Sequence, residues 1–165
     1  GNSIMKNRDL LSLHNTLRNI EGRKASVKFS YFIAKNKILL KKEFDILEAI
    51  KKPDPKFVEY DTKRAELAYR YSDKLENGQP RIENGNFIIT ENIDIFKEEL
   101  SKLKEIYKDV IYEYEAQVRG FDELLDRDVD FEGIKIDMKD IPEEIEPNVL
   151  EVLMRTGLLI EKEND

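Results

Sequence analysis

Carboxylates are the side chains through which this sequence would do chemistry, if it does any. Asp122, Glu123, Asp126, Asp128, Asp130 and Glu132 crowd into eleven consecutive positions. Carboxylates so placed act either as ligands of a divalent cation or as an acid–base pair. The run Asp126-Arg127-Asp128-Val129-Asp130-Phe131-Glu132-Gly133, with Asp137 beyond, puts acids at the first, third and fifth positions of a calcium loop. Such a loop also needs glycine at its sixth position, for the sharp turn, and usually glutamate at its last. Here those places hold Phe131 and Asp137. Alternating acid and apolar residues are also what a half-buried strand with a wet acidic face looks like, and the missing glycine favours the strand. Glu113 and Glu115 lie on adjacent faces of a helix and offer no acid–base mechanism.

The other chemical groups are sparse. There is no cysteine, so neither a thiolate nucleophile nor a thiolate metal ligand is available. His14 is the one histidine and sits one residue round from Leu13, as a boundary histidine would. No nucleophile motif, phosphate-binding glycine loop or dinucleotide fingerprint occurs. These observations lead to the expectation of a non-enzyme with no cofactor and no metal, with a carboxylate-based metal-dependent enzyme as the third reading.

Charge is unevenly spread. The net formal charge is −7, but residues 1–52 hold twelve Lys and Arg against five Asp and Glu, while residues 122–165 hold five against fifteen. The ends are opposite in sign, which fits internal attraction, head-to-tail association or separate partner surfaces. Arg23, Lys24, Lys28, Lys35, Lys37, Lys41 and Lys42, near Tyr31 and Phe32, suit phosphates or an acidic protein. They go round much of a helix in an acidic chain, so nucleic acid is not the expected partner. The dense acids from Asp122 to Glu132 repel one another unless a basic surface relieves them. Tyrosine is favoured at interfaces, and Tyr69 and Tyr112 join Asp122, Glu123, Asp126, Asp128, Asp130 and Glu132 as the expected partner-binding residues.

The elements that position these groups follow from periodicity. At 165 residues, with 38% charged and 40% apolar, the chain suits one domain of long helices, each with a wet face. Phe96, Leu100, Leu103, Tyr107, Val110, Tyr114, Phe121 and Leu125 recur mostly every three or four residues and predict one long amphipathic helix over 92–126. About 30 residues of helix span roughly 45 Å, so other long helices must lie along it. Asn7 is expected to cap a helix over 7–21, Lys52-Pro53-Asp54-Pro55 to separate helices over 24–52 and 55–76, and Pro147 to open one over 147–155. The third helix should fold back antiparallel on the second. Asn84-Gly85 predicts a β-hairpin over about 80–90, and Thr90 or Asn92 should cap the helix after it. An extended segment with a bend or bulge at Gly133 is expected over 128–140. Leu158–Ile160 reads as a last strand or a docking tail. Gly1–Ile4 reads as a cloning remnant, and Glu161–Asp165 as a frayed end. No apolar run spans a bilayer, and no signal-peptide pattern opens the chain. A soluble protein of the cytoplasm is expected.

Several stretches resemble a family of small, uncharacterised bacteriophage proteins. They are Lys28-Phe29-Ser30-Tyr31-Phe32-Ile33-Ala34-Lys35-Asn36, Glu59-Tyr60 with Arg64-Ala65-Glu66-Leu67, and Asn77-Gly78; farther on come Phe96 with Glu99-Leu100 and Leu103, and Ile141-Pro142 with Ile145. The family has no assigned catalytic residues. The resemblance implies a phage or prophage origin, in the host cytoplasm or the virion, and leaves virion assembly and interference with host defence both open.

The expected fold is therefore mainly α, an antiparallel bundle of long helices with an inserted β-hairpin and a small extended C-terminal segment. The expected function is non-catalytic binding of a phage structural or host protein, with no membrane and with a homodimer as a further partner. The second reading is an inhibitor of a host defence protein, acting by occlusion or acidic nucleic-acid mimicry.

Overall fold

The computed structural model describes residues 5–160, so the expectations for Gly1–Ile4 and Glu161–Asp165 lie outside the described residues. The architecture is mainly helical with a β-hairpin between helices, as the periodicity predicts. The chain divides into two compact units, one formed by residues up to Lys51 together with those from Gly120 on, the other by Lys52–Arg119.

The first unit is built on two antiparallel helices, α1 (Asn7–Ile20) and α2 (Val27–Lys51). Leu10, Leu13, Leu17 and Ile20 all face inward on α1, against Phe29, Phe32, Ile33, Leu40 and Leu47 of α2 in one apolar core. Asn7 does not cap α1. Lys6 holds the cap position, its N–H donating to Asp9 Oδ2 at 3.2 Å, while the Asn7 amide donates to Leu124 O at 2.9 Å. Burial of Asn7 against that carbonyl draws its side chain away from its own helix. Likewise α2 begins at Val27 rather than Lys24, because Ser26 Oγ accepts the Phe29 N–H at 3.2 Å and so caps the first turn.

Met5–Lys6 (β1) pairs antiparallel with Asp128–Val129 (β4). Ile136–Asp137 (β5) pairs parallel with Leu159–Ile160 (β6), the connection running through a 3-10 turn at Met138–Asp140 and helix α6 (Pro147–Arg155). A parallel pair needs such a crossover. Beyond the end of α6, Gly157 takes φ 74°; the Gly157 N–H reaches Met154 O and the Leu158 N–H reaches Leu153 O, which turns the chain into β6. Of the two readings of Leu158–Ile160 the strand holds, over Leu159–Ile160.

One side chain fastens this C-terminal part to α2. Asn36 is fully buried on the same face as Phe32 and Leu40. Its Nδ2 donates to Phe32 O at 3.0 Å and Ile134 O at 3.1 Å, and its Oδ1 accepts from Ile134 N at 3.0 Å. Both backbone groups of Ile134 are satisfied by one amide, as a neighbouring strand would satisfy them. Gly133 makes the approach possible, since a Cβ there would lie 2.4 Å from Asn36 Oδ1 and 3.0 Å from both Leu158 Cδ2 and Phe131 Cε1. The expected bend at Gly133 is therefore a close-packing requirement instead, and strand pairing is confined to Asp128–Val129 and Ile136–Asp137 of the predicted 128–140 segment.

The second unit pairs α3 (Pro55–Tyr71) antiparallel with α4 (Ile93–Ile106) and the start of α5 (Lys108–Leu125). Asp54 caps α3 by accepting the Lys56 N–H at 2.7 Å, with Pro55 at the first helical position. Phe57 stacks on Tyr114 with ring centroids 3.6 Å apart, and Tyr60 packs tilted on Tyr107 at 5.7 Å. The predicted single helix over 92–126 is divided at Tyr107, which leaves the helical region at φ −106°, ψ 17°. The hydrogen-bond ladder continues through it, from Tyr107 N to Leu103 O and from Ile111 N to Tyr107 O. The departure falls at the residue whose hydroxyl accepts a hydrogen bond from Lys63 Nζ at 2.9 Å.

Helix α3 stops at Tyr71, short of the expected residue 76, because Asp73 is taken by the hairpin. Its N–H donates to Ile88 O and its carbonyl accepts from Arg81 N, each at 2.7 Å. The carboxylate accepts from Thr90 Oγ1 at 2.5 Å, Thr90 N at 3.0 Å and Glu91 N at 3.2 Å, and those hydrogen bonds, the hydroxyl's foremost, hold the Asp73 carboxyl below the usual carboxylate range. Thr90 therefore anchors the approach to α4, while Asn92 occupies the cap position without a side-chain bond. Ile82–Glu83 (β2) and Asn86–Phe87 (β3) form the hairpin, with Asn84 and Gly85 both at positive φ, as its two-residue turn demands.

Two stability outcomes follow. Asn36→Ala should destabilise by about 2–5 kcal/mol, because the Ile134 N–H and C=O both lose their partner, and Gly133→Ala by about 1–3 kcal/mol through overpacking. Urea unfolding of the double variant should give less than the sum, since truncating Asn36 removes the atom that the new methyl meets; strict additivity would refute the clasp. Gly120, inside α5, is the reverse case, as a Cβ there would meet nothing within 4 Å. Gly120→Ala should add about 0.5–1 kcal/mol of stability, read as a melting temperature about 1–4 °C higher.

Candidate functional site

The carboxylate segment takes the strand-like form. Phe131 is buried and Val129 half-buried, while Asp128, Asp130 and Glu132 are exposed, so the alternation of acid and apolar residues becomes an alternation of outside and inside. Asp122 and Glu123 are exposed on the last turns of α5. Asp126 pairs with Arg8 at 3.2 Å. Among the described residues, the other five predicted site carboxylates make no ion pair, and no group of three or more histidines and carboxylates is placed to hold a metal ion. Asp128 is committed to pairing with Lys6 along the backbone, which is incompatible with a calcium loop.

Tyr69 and Tyr112 belong to the second unit and lie on different helices. Tyr69, 52% exposed near the end of α3, meets Phe87 of the hairpin edge-on at 6.1 Å. Lys74 Nζ sits 5.0 Å from its ring centroid and donates to Tyr69 O and Ser72 Oγ, each at 2.6 Å. Tyr69 also borders an open cleft with Asp61, Thr62, Ala65, Glu66 and Arg70. Tyr112 is 69% exposed and lines a cleft of about 550 Å3 along the α4–α5 face, with Lys97, Lys104, Lys108, Leu100, Ile111 and Glu115 among its neighbours. The predicted carboxylates thus belong to the first unit, and the two tyrosines line different clefts of the second.

Of the three arrangements open to the opposite charges, internal attraction is realised in part. Arg8–Asp126 and Arg23–Glu146, at 3.2 and 2.5 Å, join the basic N-terminal third to the acidic C-terminal third, and Arg155–Asp9 at 3.2 Å joins them with the signs reversed. The Glu146 hydrogen bond raises the Arg23 pKa, and the guanidinium in turn lowers that of Glu146. Such exposed pairs are screened by solvent, so they set register more than stability. Of the seven basic residues near Tyr31, Arg23 pairs with Glu146, Lys37 with Glu21 and Lys41 with Asp45. Among the described residues Lys24, Lys28, Lys35 and Lys42 have no ion pair. Sequence reasoning named this set but could not sort it; the signal was the seven-residue spacing of Lys28, Lys35 and Lys42.

His14 stacks on Phe44, with ring centroids 3.5 Å apart and planes 7° from parallel, and its Nδ1 is buried without a hydrogen-bond partner. Burial holds its pKa below the ordinary value, and the Arg18 and Lys37 charges push the same way. It packs against α2 through the Phe44 ring. No helix among the described residues is long and apolar enough to cross a membrane. Comparison with models of known protein families, with curated proteins and with solved structures finds no match for this chain.

A pH dependence follows from His14. With the folded imidazole below its ordinary value of 6.5, the unfolded chain binds the proton more readily, so stability is complete above that pH and falls as pH drops through the folded value. His14→Phe keeps the stack on Phe44 and should flatten the melting temperature between neutrality and about pH 5. Equal slopes for the variant and the parent would show that His14 does not set this dependence.

Proposed function

We propose that this chain is a non-catalytic protein-binding module of phage origin, acting in virion assembly, in the host cytoplasm or the virion. The observation that carries the binding reading is the exposure of large side chains on the α4–α5 face of the second unit. Tyr112 is 69% exposed beside an open cleft edged with lysines, and Ile106, the last residue of α4, is 75% exposed. Apolar surface left in contact with water on a helix face is what a partner would remove from it. The five carboxylates between Asp122 and Glu132 that make no ion pair among the described residues are a second, polar surface of the same reading. The phage origin rests on the resemblance carried by Lys28–Asn36 and the other stretches quoted above. A reciprocal homodimer belongs to this reading too, since one chain carries both charge signs.

The carboxylates also favour a second reading, inhibition of a basic host defence protein by occlusion or nucleic-acid mimicry. Affinity capture from infected or prophage-induced cells, with mass spectrometry at low and moderate salt, separates the two. Head, tail or portal components should be retained by the parent chain and lost on Tyr112→Ala, or on reversing Asp128, Asp130 and Glu132 to lysine. A host nuclease or effector whose capture collapses with salt would replace assembly by inhibition. Capture unchanged in both variants would exclude these surfaces.

A further inference from the structure

The outward side of α2 carries three columns of side chains in a repeating order. Lys28, Lys35 and Lys42 stand seven residues apart, and rows at that spacing drift by only about 20° per repeat on a straight helix. Tyr31 and Ile38 stand three residues beyond Lys28 and Lys35, and Leu39 and Ile46 four residues beyond Lys35 and Lys42. The helical period therefore puts two exposed apolar side chains on each side of the lysine row, the same spacing falling on buried Phe32 beyond Lys28 and on Asp45 beyond Lys42. These apolar side chains are open to solvent: Tyr31 is 60% exposed, Ile38 69% and Ile46 45%. The opposite side of α2, with Phe29, Asn36, Leu40 and Leu47, is spent on the core.

The lysines are not occupied within the chain. Whereas Lys37 and Lys41 on the same helix have carboxylate partners, Lys28, Lys35 and Lys42 have neither an ion pair nor a side-chain hydrogen bond among the described residues. Beside the Tyr31–Ile38 column lies an open cleft of about 490 Å3, with Ile38, Ala34, Phe44 and the stacked His14 on its apolar side and Lys37, Lys41 and Asp45 on its charged side.

We infer that this side of α2 is a docking face for an acidic amphipathic helix of a partner protein, its carboxylates along the lysine row and its apolar side chains over the flanking columns. The order of the columns selects this occupant. On a helix that lies on a membrane the cations flank the apolar stripe and reach outward to the headgroups; here they run down its middle and would be pressed toward hydrocarbon. A nucleic-acid backbone would meet the lysines but leave hydrocarbon columns against phosphates on both sides. The carboxylate segment Asp122–Glu132 of a second copy would match the lysine row, but Leu125 and Phe131 within it are buried, so that segment does not match the columns. An amphipathic acidic helix matches both, as paired helices do when charges beside an apolar seam choose the partner. The inference does not depend on the phage origin or on the surfaces around Tyr112.

The test uses the full chain and a fluorescent, synthetic three-heptad peptide with leucines along one face and glutamates beside them, together with its lysine counterpart. Anisotropy should show binding of the glutamate peptide and about tenfold weaker binding, or none, of the lysine peptide. The triple variant Lys28→Glu, Lys35→Glu, Lys42→Glu should reverse that preference, and Ile38→Ser should weaken the glutamate peptide about tenfold. Circular dichroism melting identifies any variant that fails to fold, in which case Lys35→Glu alone carries the charge test. Equal affinity of the parent for both peptides, or glutamate-peptide binding indifferent to the lysine substitutions, would overturn the proposal. So would sedimentation with phosphatidylserine vesicles, or salt-sensitive self-association removed by the triple variant, if neither peptide binds.

Discussion

The Asn36 amide is the interaction on which the first unit most depends. Three hydrogen bonds leave it inside an apolar core, two of them to the backbone of Ile134, a residue with no strand partner of its own. A buried N–H or C=O without a partner costs about 1–3 kcal/mol, so the path from Phe131 to Ile136 crosses the core only because that side chain stands in for a strand. The close approach in turn forbids a Cβ at position 133. With Ile134 held, Ile136 is placed to pair with Leu159, and α6 is carried onto α1. A single polar side chain on the buried face of α2 thus decides where the last quarter of the chain lies.

The second unit has a smaller version of the same device. Asp73 ends α3 and, through its backbone and carboxylate together, holds the hairpin and the approach to α4. Here the polar anchor lies at the surface, and aromatic contacts supply the packing: Phe57 on Tyr114 and Tyr60 on Tyr107 align α3 against α4 and α5. Both units therefore combine apolar helix faces, which bring the elements together, with a hydrogen-bonded polar residue that chooses one register among many.

The charges divide along similar lines. Arg8–Asp126, Arg23–Glu146 and Arg155–Asp9 pair within the first unit, and among the described charges that make no ion pair two coherent sets stand out, carboxylates along one segment and lysines along one helix row. Sorting them turns a net charge of −7, which says little about partners, into surfaces of defined sign. The one histidine stacks on Phe44.

Much of the fold was legible from local patterns. The stripe Leu10, Leu13, Leu17 and Ile20, the Asp54-Pro55 start of α3, the Asn84-Gly85 turn and the Pro147 and Gly157 bounds of α6 all act through nearest neighbours and helical period, which a sequence displays directly. An asparagine in line with Phe32 and Leu40 was visible too, but not what it binds. Its partner Ile134 lies 98 residues away, and so remote a contact leaves no periodic trace. The same holds for Asn7, drawn from its own helix to Leu124, and for Asp73, which shortens α3 by binding Thr90. The sequence by itself determined which segments are helical and which faces are apolar, because those depend on residues a few positions apart. Only the tertiary structure decided which polar side chains are spent inside and which charges remain for a partner, because that depends on groups brought together from distant parts of the chain.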